Sequence, residues 1–130
     1  MPAIKDFLAI VLSGLWLFGS GIFVYVGVLN KWNQKHFGHI SRDTKSFPIW
    51  AAIAEKILQA VALTLLVRWT NAALITLLAV PILLVCASYM STYADYKVSG
   101  RPVIGLTIID SVRVAGALLV VGLILGRSIV

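Results

Sequence analysis

The sequence is short of nearly everything a water-soluble enzyme is built from. Its 130 residues include five acids, two histidines and one cysteine, and charged residues make up only 12% of the chain. A lone cysteine, Cys86, excludes an intrachain disulfide, and in an apolar run it is expected to act as a small packing residue. No glycine-rich phosphate loop, Ser-His-Asp set or Cys-x-x-Cys is present, so the motifs of nucleotide binding, serine hydrolysis and dithiol exchange are all missing. No histidine pair falls within the apolar runs, which argues against a b-type haem, and no cofactor is expected. The net charge of +6 does not read as a nucleic-acid footprint. The basic residues sit mostly between apolar runs, where they set orientation and meet anionic lipid.

What the chain has is apolar length. It is 60% hydrophobic, with a mean hydropathy of +0.97, too apolar for a soluble domain of this size. Four runs, at about 7–29, 48–67, 72–90 and 104–126, each approach the roughly 20 residues that cross a hydrocarbon core. They are continuous rather than alternating, which points to helices and not to barrel strands. The first run is longer than a signal-peptide core, has only Lys5 as a basic residue before it and lacks a small-residue cleavage site. It is expected to stay as a span. The expected fold is therefore an all-α membrane protein, a single domain over residues 1–130, with four transmembrane helices in two hairpins.

Orientation follows from the basic residues. The first and third loops carry Lys31, Lys35, Arg42, Lys45, Lys97 and Arg101, whereas the other side carries Lys5, Arg68 and Arg127. The positive-inside rule then places both termini on the non-cytoplasmic side of an inner membrane. Thr70-Asn71 leaves so short a turn that the second and third spans should lie side by side and antiparallel. Pro81 should kink the third span. Trp32 reads as an interfacial anchor, and the tyrosine-rich stretch 88–96 as a headgroup belt.

Against this background the buried polar residues stand out. Asp110 and Arg113 share a helical face inside the last run, and Glu55, Lys56 and Gln59 lie inside the second. A charge at that depth costs at least about 2.5–3.5 kcal/mol on insertion scales, so it calls for a partner or a wet cavity. Lys56 can snorkel to the surface. Glu55, Gln59, Asp110 and Arg113 are the leading constellation. They read either as an interhelical Glu55–Arg113–Asp110 network that fixes helix register, or as a protonatable or ion-attracting site. Both acids fall about six residues into their spans, about 9 Å deep at 1.5 Å per residue. Aligning Glu55 with Asp110 also matches Ile53 with Ile108, Ala60 with Ala115, Ala62 with Ala117 and Leu63 with Leu118, a faint parallel repeat.

Other signals are weaker. His36, His39 and Asp43 have a spacing that could hold a transition metal, although two histidines in an interfacial loop need no metal to explain them. Gly14 and Gly21 in the first span, and the Gly122-x-x-x-Gly126 pair in the last, read as faces for close helix packing.

Two stretches carry a resemblance. Gly21-Ile-Phe-Val-Tyr25 precedes Asn30-Lys-Trp-Asn33 and Lys35-His-Phe-Gly38, and Gly100-Arg-Pro102 precedes Ile109-Asp110 and Gly122-Leu-Ile-Leu-Gly126. On these the chain resembles a loose group of uncharacterised small four-span bacterial membrane proteins, which implies the same hairpin pair and no established activity. In size and topology it also looks like the glutathione-transferring four-span membrane enzymes. Glu55, however, has no neighbouring arginine and asparagine in that family's order.

The function expected from the sequence is binding or transport of a small or lipophilic solute, or an ion, near Glu55, Asp110 and Arg113, by a non-enzymatic homo-oligomer in the lipid bilayer. The rivals are an accessory subunit of a larger membrane complex, and a membrane enzyme using loop histidines or tyrosines on a lipophilic substrate.

Overall fold

The computed structural model of the chain describes residues 2–29, 31, 32, 35, 49–95 and 100–130, and among these every regular element is a helix. Helix α1 (Pro2–Gly21) starts on a proline, whose missing N–H breaks no bond in a first turn. It runs on as a π-helix, Ile22–Val28, closed by the Leu29 N–H donating to the Val24 carbonyl at 2.7 Å. Then come α2 (Ile49–Trp69), a single turn α3 (Leu74–Leu77), α4 (Ala79–Asp95) and α5 (Gly100–Ile124). Four stretches are long and apolar enough to cross a membrane: Ile4–Val28, Trp50–Trp69, Leu74–Asp95 and Gly100–Ile124.

The outside of the bundle is greasy. Phe7, Phe23, Leu58, Leu83 and Val112 are each more than 60% exposed, so large apolar side chains ring every span. That surface suits a chain whose solvent is lipid, and the protein is membrane-embedded. Trp50 and Trp69 project from the two ends of α2. The rise between them, about 28 Å, is close to the thickness of a hydrocarbon core.

The bundle is organised around α5, which packs against α1, α2 and α4. Its buried Ala117, Leu118 and Val121 meet Leu17, Leu63, Val67, Leu74 and Leu77 in the core, and Val103 and Leu106 form a smaller cluster nearer its start. Helices α1 and α2 approach closely because their seam is small: Ala9, Ser13 and Ala60 are fully buried, and a Cβ on Gly14 would lie 3.8 Å from that of Ala60. Three serine and threonine hydroxyls in the spans are satisfied within their own helices. Ser13 donates to the Ala9 carbonyl (2.6 Å), Thr64 to Ala60 (2.9 Å) and Thr107 to Val103 (2.8 Å).

Several boundaries differ from the sequence reading, each for a local reason. The last span starts at Gly100, because Pro102 falls in the first turn, where a proline costs no helical bond. The third span is interrupted at Leu78 and resumes as α4, which puts Pro81 in that helix's first turn. It continues past Met90 to Asp95, with Ser91 donating to Asp95 at 3.0 Å. Trp32 is partly buried against Val103 and Leu106. Most consequential, α2 and α4 do not pack along their lengths. Of the third span, the short α3 packs against α2, and a cleft opens between α2 and α4.

The C-terminal end ties the bundle together. Gly126 has φ 76° and no neighbour within 4 Å of a Cβ, and the chain leaves α5 at this residue. The Arg127 N–H returns to the Gly122 carbonyl at 2.8 Å. The Arg127 guanidinium donates to the Val67 (2.7 Å) and Ala72 (2.9 Å) carbonyls, capping the end of α2. The carbonyls of Ser128 and Ile129 accept the Leu74 and Ile75 N–H groups, both at 3.0 Å. Gly122, by contrast, lies flush against Leu74, where a Cβ would overlap that side chain.

Candidate functional site

Arg113, in the middle of α5, is the centre from which the site is built. Its side chain is 9% exposed. Nη1 donates to Asp110 Oδ1 at 2.8 Å, Nε to Ser20 Oγ at 2.9 Å, and Nη2 to the Leu17 carbonyl. The guanidinium also lies 5.5 Å from the ring centre of Tyr25. From the other direction, the Trp16 indole N–H donates to the Arg113 carbonyl at 2.7 Å. Gly21 makes this approach possible, since a Cβ there would sit 2.7 Å from Nη2.

Asp110 is the complement. Besides Arg113, its Oδ1 accepts the Tyr25 hydroxyl at 2.6 Å, and its Oδ2 accepts the Tyr89 hydroxyl. Helices α4 and α5 and the π-helical end of the first span thus converge on one carboxylate. The π winding matters here because Tyr25 lies within it. Charge balance and hydrogen bonding are both met, as a charged pair away from water requires.

Glu55 lies elsewhere. Its side chain is 58% exposed, 3.2 Å from Lys56 Nζ and 3.4 Å from Gln59 Nε2. The expected Glu55–Arg113 link is not formed: Arg113 takes its acceptors from α1 and α5, and Glu55 pairs along its own helix. The two ion pairs nevertheless face the same space. A cleft of about 310 Å³ is lined by Glu55, Lys56 and Gln59 from α2, Ser88 and Tyr89 from α4, and Asp110 and Arg113 from α5.

One atom in this cleft is conspicuous. Gln59 Oε1 is buried and has no hydrogen-bond partner among the described residues. Turning the amide over would aim Oε1 at the Glu55 carboxylate and lose the Nε2 contact, so the orientation is the chemically sensible one. An unmet buried acceptor beside two ion pairs can receive a donor from a small polar molecule.

Sequence reasoning picked out Glu55, Gln59, Asp110 and Arg113, and the structure brings all of them to this cleft in two separate pairings. It overlooked Tyr25, Tyr89, Ser20 and Trp16. Tyr89 falls in the stretch that reads as a headgroup belt. The usable signal of the two tyrosines was hydroxyl placement within reach of a buried acid, which only tertiary structure reveals. Gly14 and Gly21 both lie at close approaches, to Ala60 and Arg113 respectively. His36, His39 and Asp43 lie outside the described residues, and among the described residues no cluster suited to a metal ion is found. No family model, no curated protein and no solved structure matches this chain.

Proposed function

We propose that the chain is a four-span inner-membrane protein, acting as an oligomer, that binds and moves a small polar solute through the cleft between α2 and α4. The observation carrying this reading is the buried, partnerless Gln59 Oε1 on a wall shared with Glu55–Lys56 and Asp110–Arg113. The volume lies at the small end of the range for ligand pockets, about 300–1,000 Å³. Each acid in the cleft has a base beside it, so the charges cancel. A zwitterion or an uncharged polar molecule fits such a lining better than a bare ion. The two hairpins would have their termini on the non-cytoplasmic side, as the distribution of lysine and arginine supports.

The test is solute-driven flux in proteoliposomes with a trapped pH-sensitive dye, using a panel of zwitterionic amino acids and uncharged polyols. One class should elicit a pH-dependent signal in the wild type. Glu55→Gln and Gln59→Leu should remove it while the protein still folds. Flux left unchanged by both substitutions would end this reading.

A further inference from the structure

The cleft between α2 and α4 has a polar end and an apolar end. Helix α2 ends, the third span begins and α5 ends near the turn at 70–71, where Arg127 binds the Val67 and Ala72 carbonyls. The residues lining the cleft therefore sort by height. Nearer the turn are Leu63 of α2, Pro81 and Leu84 of α4, and Val114 of α5. Farther from it are Glu55 and Lys56 of α2, Ser88 and Tyr89 of α4, and Asp110 of α5. Gln59 and Arg113 stand between. All three helices change from polar to apolar lining at the same level.

The polar end has both acceptors and donors left over. Gln59 Oε1 is buried without a partner among the described residues. Glu55 Oε1 takes Lys56 Nζ at 3.2 Å and Gln59 Nε2 at 3.4 Å, beyond the usual hydrogen-bond length, and Oε2 takes no bond among the described residues. The Lys56 ammonium has three N–H groups and, among the described residues, one acceptor in Glu55. A charged N–H donor suits Gln59 Oε1 and Glu55 better than a neutral hydroxyl, because charge-assisted bonds are about twice as strong. A carboxylate suits Lys56 for the same reason. A solute carrying both adds no net charge to a lining whose acids and bases already cancel. A polyol brings neither charge, and it leaves the apolar end without a matching group.

We infer that the solute of this cleft is an α-amino acid with an apolar side chain. Its ammonium donates to Gln59 Oε1 and Glu55, its carboxylate accepts from Lys56, and its side chain lies against Leu63, Pro81, Leu84 and Val114. This narrows the solute class and rests on the proposed reading of the cleft as the solute site.

Competition against radiolabelled L-leucine, on the full chain in lipid nanodiscs, tests the assignment. One competitor is the N,N,N-trimethyl betaine of leucine, which keeps both charges and has no N–H. The other is glycine, which lacks the side chain. Each should need about a tenfold higher concentration than unlabelled L-leucine for half-displacement, as expected for a lost hydrogen bond or an unfilled apolar end. Gln59→Met, similar in size but without the acceptor, should erase the preference over the betaine and keep that over glycine. That separates hydrogen bonding from the bulk of three methyl groups. Leu84→Ser, at an exposed position, should do the reverse. Absence of saturable leucine binding to the wild type, or displacement by either competitor as readily as by leucine, would overturn the inference whatever the variants do. So would a preference over the betaine that survives in a folded Gln59→Met protein. Leucine binding without leucine flux in proteoliposomes would uphold this assignment and end the transport reading. Polyol flux with no leucine binding would do the opposite.

Discussion

Glu55 and Asp110 are the two acids that lie inside spans at matched positions in the sequence, yet they occupy different chemical worlds. Asp110 is 18% exposed at its side chain and receives hydrogen bonds from Arg113, Tyr25 and Tyr89. Glu55 is 58% exposed and relies on its immediate neighbours Lys56 and Gln59. A carboxylate held by three donors from three elements is a structural keystone. One held loosely beside an unmet acceptor has bonding capacity to spare, which the proposed function assigns to a solute. The difference teaches that depth in a span identifies a costly group but not its job, which depends on how many of its bonds the fold has already made.

The sharpest way to break the comparison is to strip Arg113 from its carboxylate. Arg113→Met should destabilise the protein by about 3–5 kcal/mol, as removing one member of a buried pair does. Unfolding in mixed micelles would measure it. Adding Asp110→Asn should recover part of that loss, because the uncompensated charge goes too. Next in size is Gly21→Ala. Its Cβ would press on a guanidinium pinned by three acceptors, at a cost of about 1–3 kcal/mol in the same assay. Tyr25→Phe and Tyr89→Phe each remove one hydrogen bond to a charged acceptor and should cost about 1.5 kcal/mol apiece. The smallest effect is expected on the other side of the comparison. Glu55→Gln should shift stability by less than about 1 kcal/mol, because exposed ion pairs contribute little, while removing solute flux. A large loss of stability in Glu55→Gln would erase the distinction between the two acids.

These contrasts also show what could be read from the chain alone. The four spans were legible because lipid imposes a length and a continuous apolar pattern that sequence displays directly. The polar residues Glu55, Gln59, Asp110 and Arg113 were legible because each is expensive where it stands. Their pairing was not. A single sequence carries helical spacing within α5, which finds Asp110–Arg113, but not the crossing of α1 over α5 that brings Ser20, Leu17 and Tyr25 to the guanidinium. The short turn at 70–71 suggested that the second and third spans pack together. The third span meets α2 through the short α3, α5 packs against both spans, and the tail from Arg127 onward holds the turn. Gly126 shows the same limit. Its positive φ, where the chain leaves α5, is not readable from its spacing to Gly122.

The central claim is a division of labour, with Asp110–Arg113 holding the helices together and Glu55–Gln59 meeting the solute. Unfolding free energy and proteoliposome flux, measured side by side on Glu55→Gln and Asp110→Asn, test it most directly. The account predicts that Glu55→Gln keeps its stability and loses flux, whereas Asp110→Asn loses both. Full flux in a folded Glu55→Gln protein, or equal destabilisation of the two variants, would contradict it.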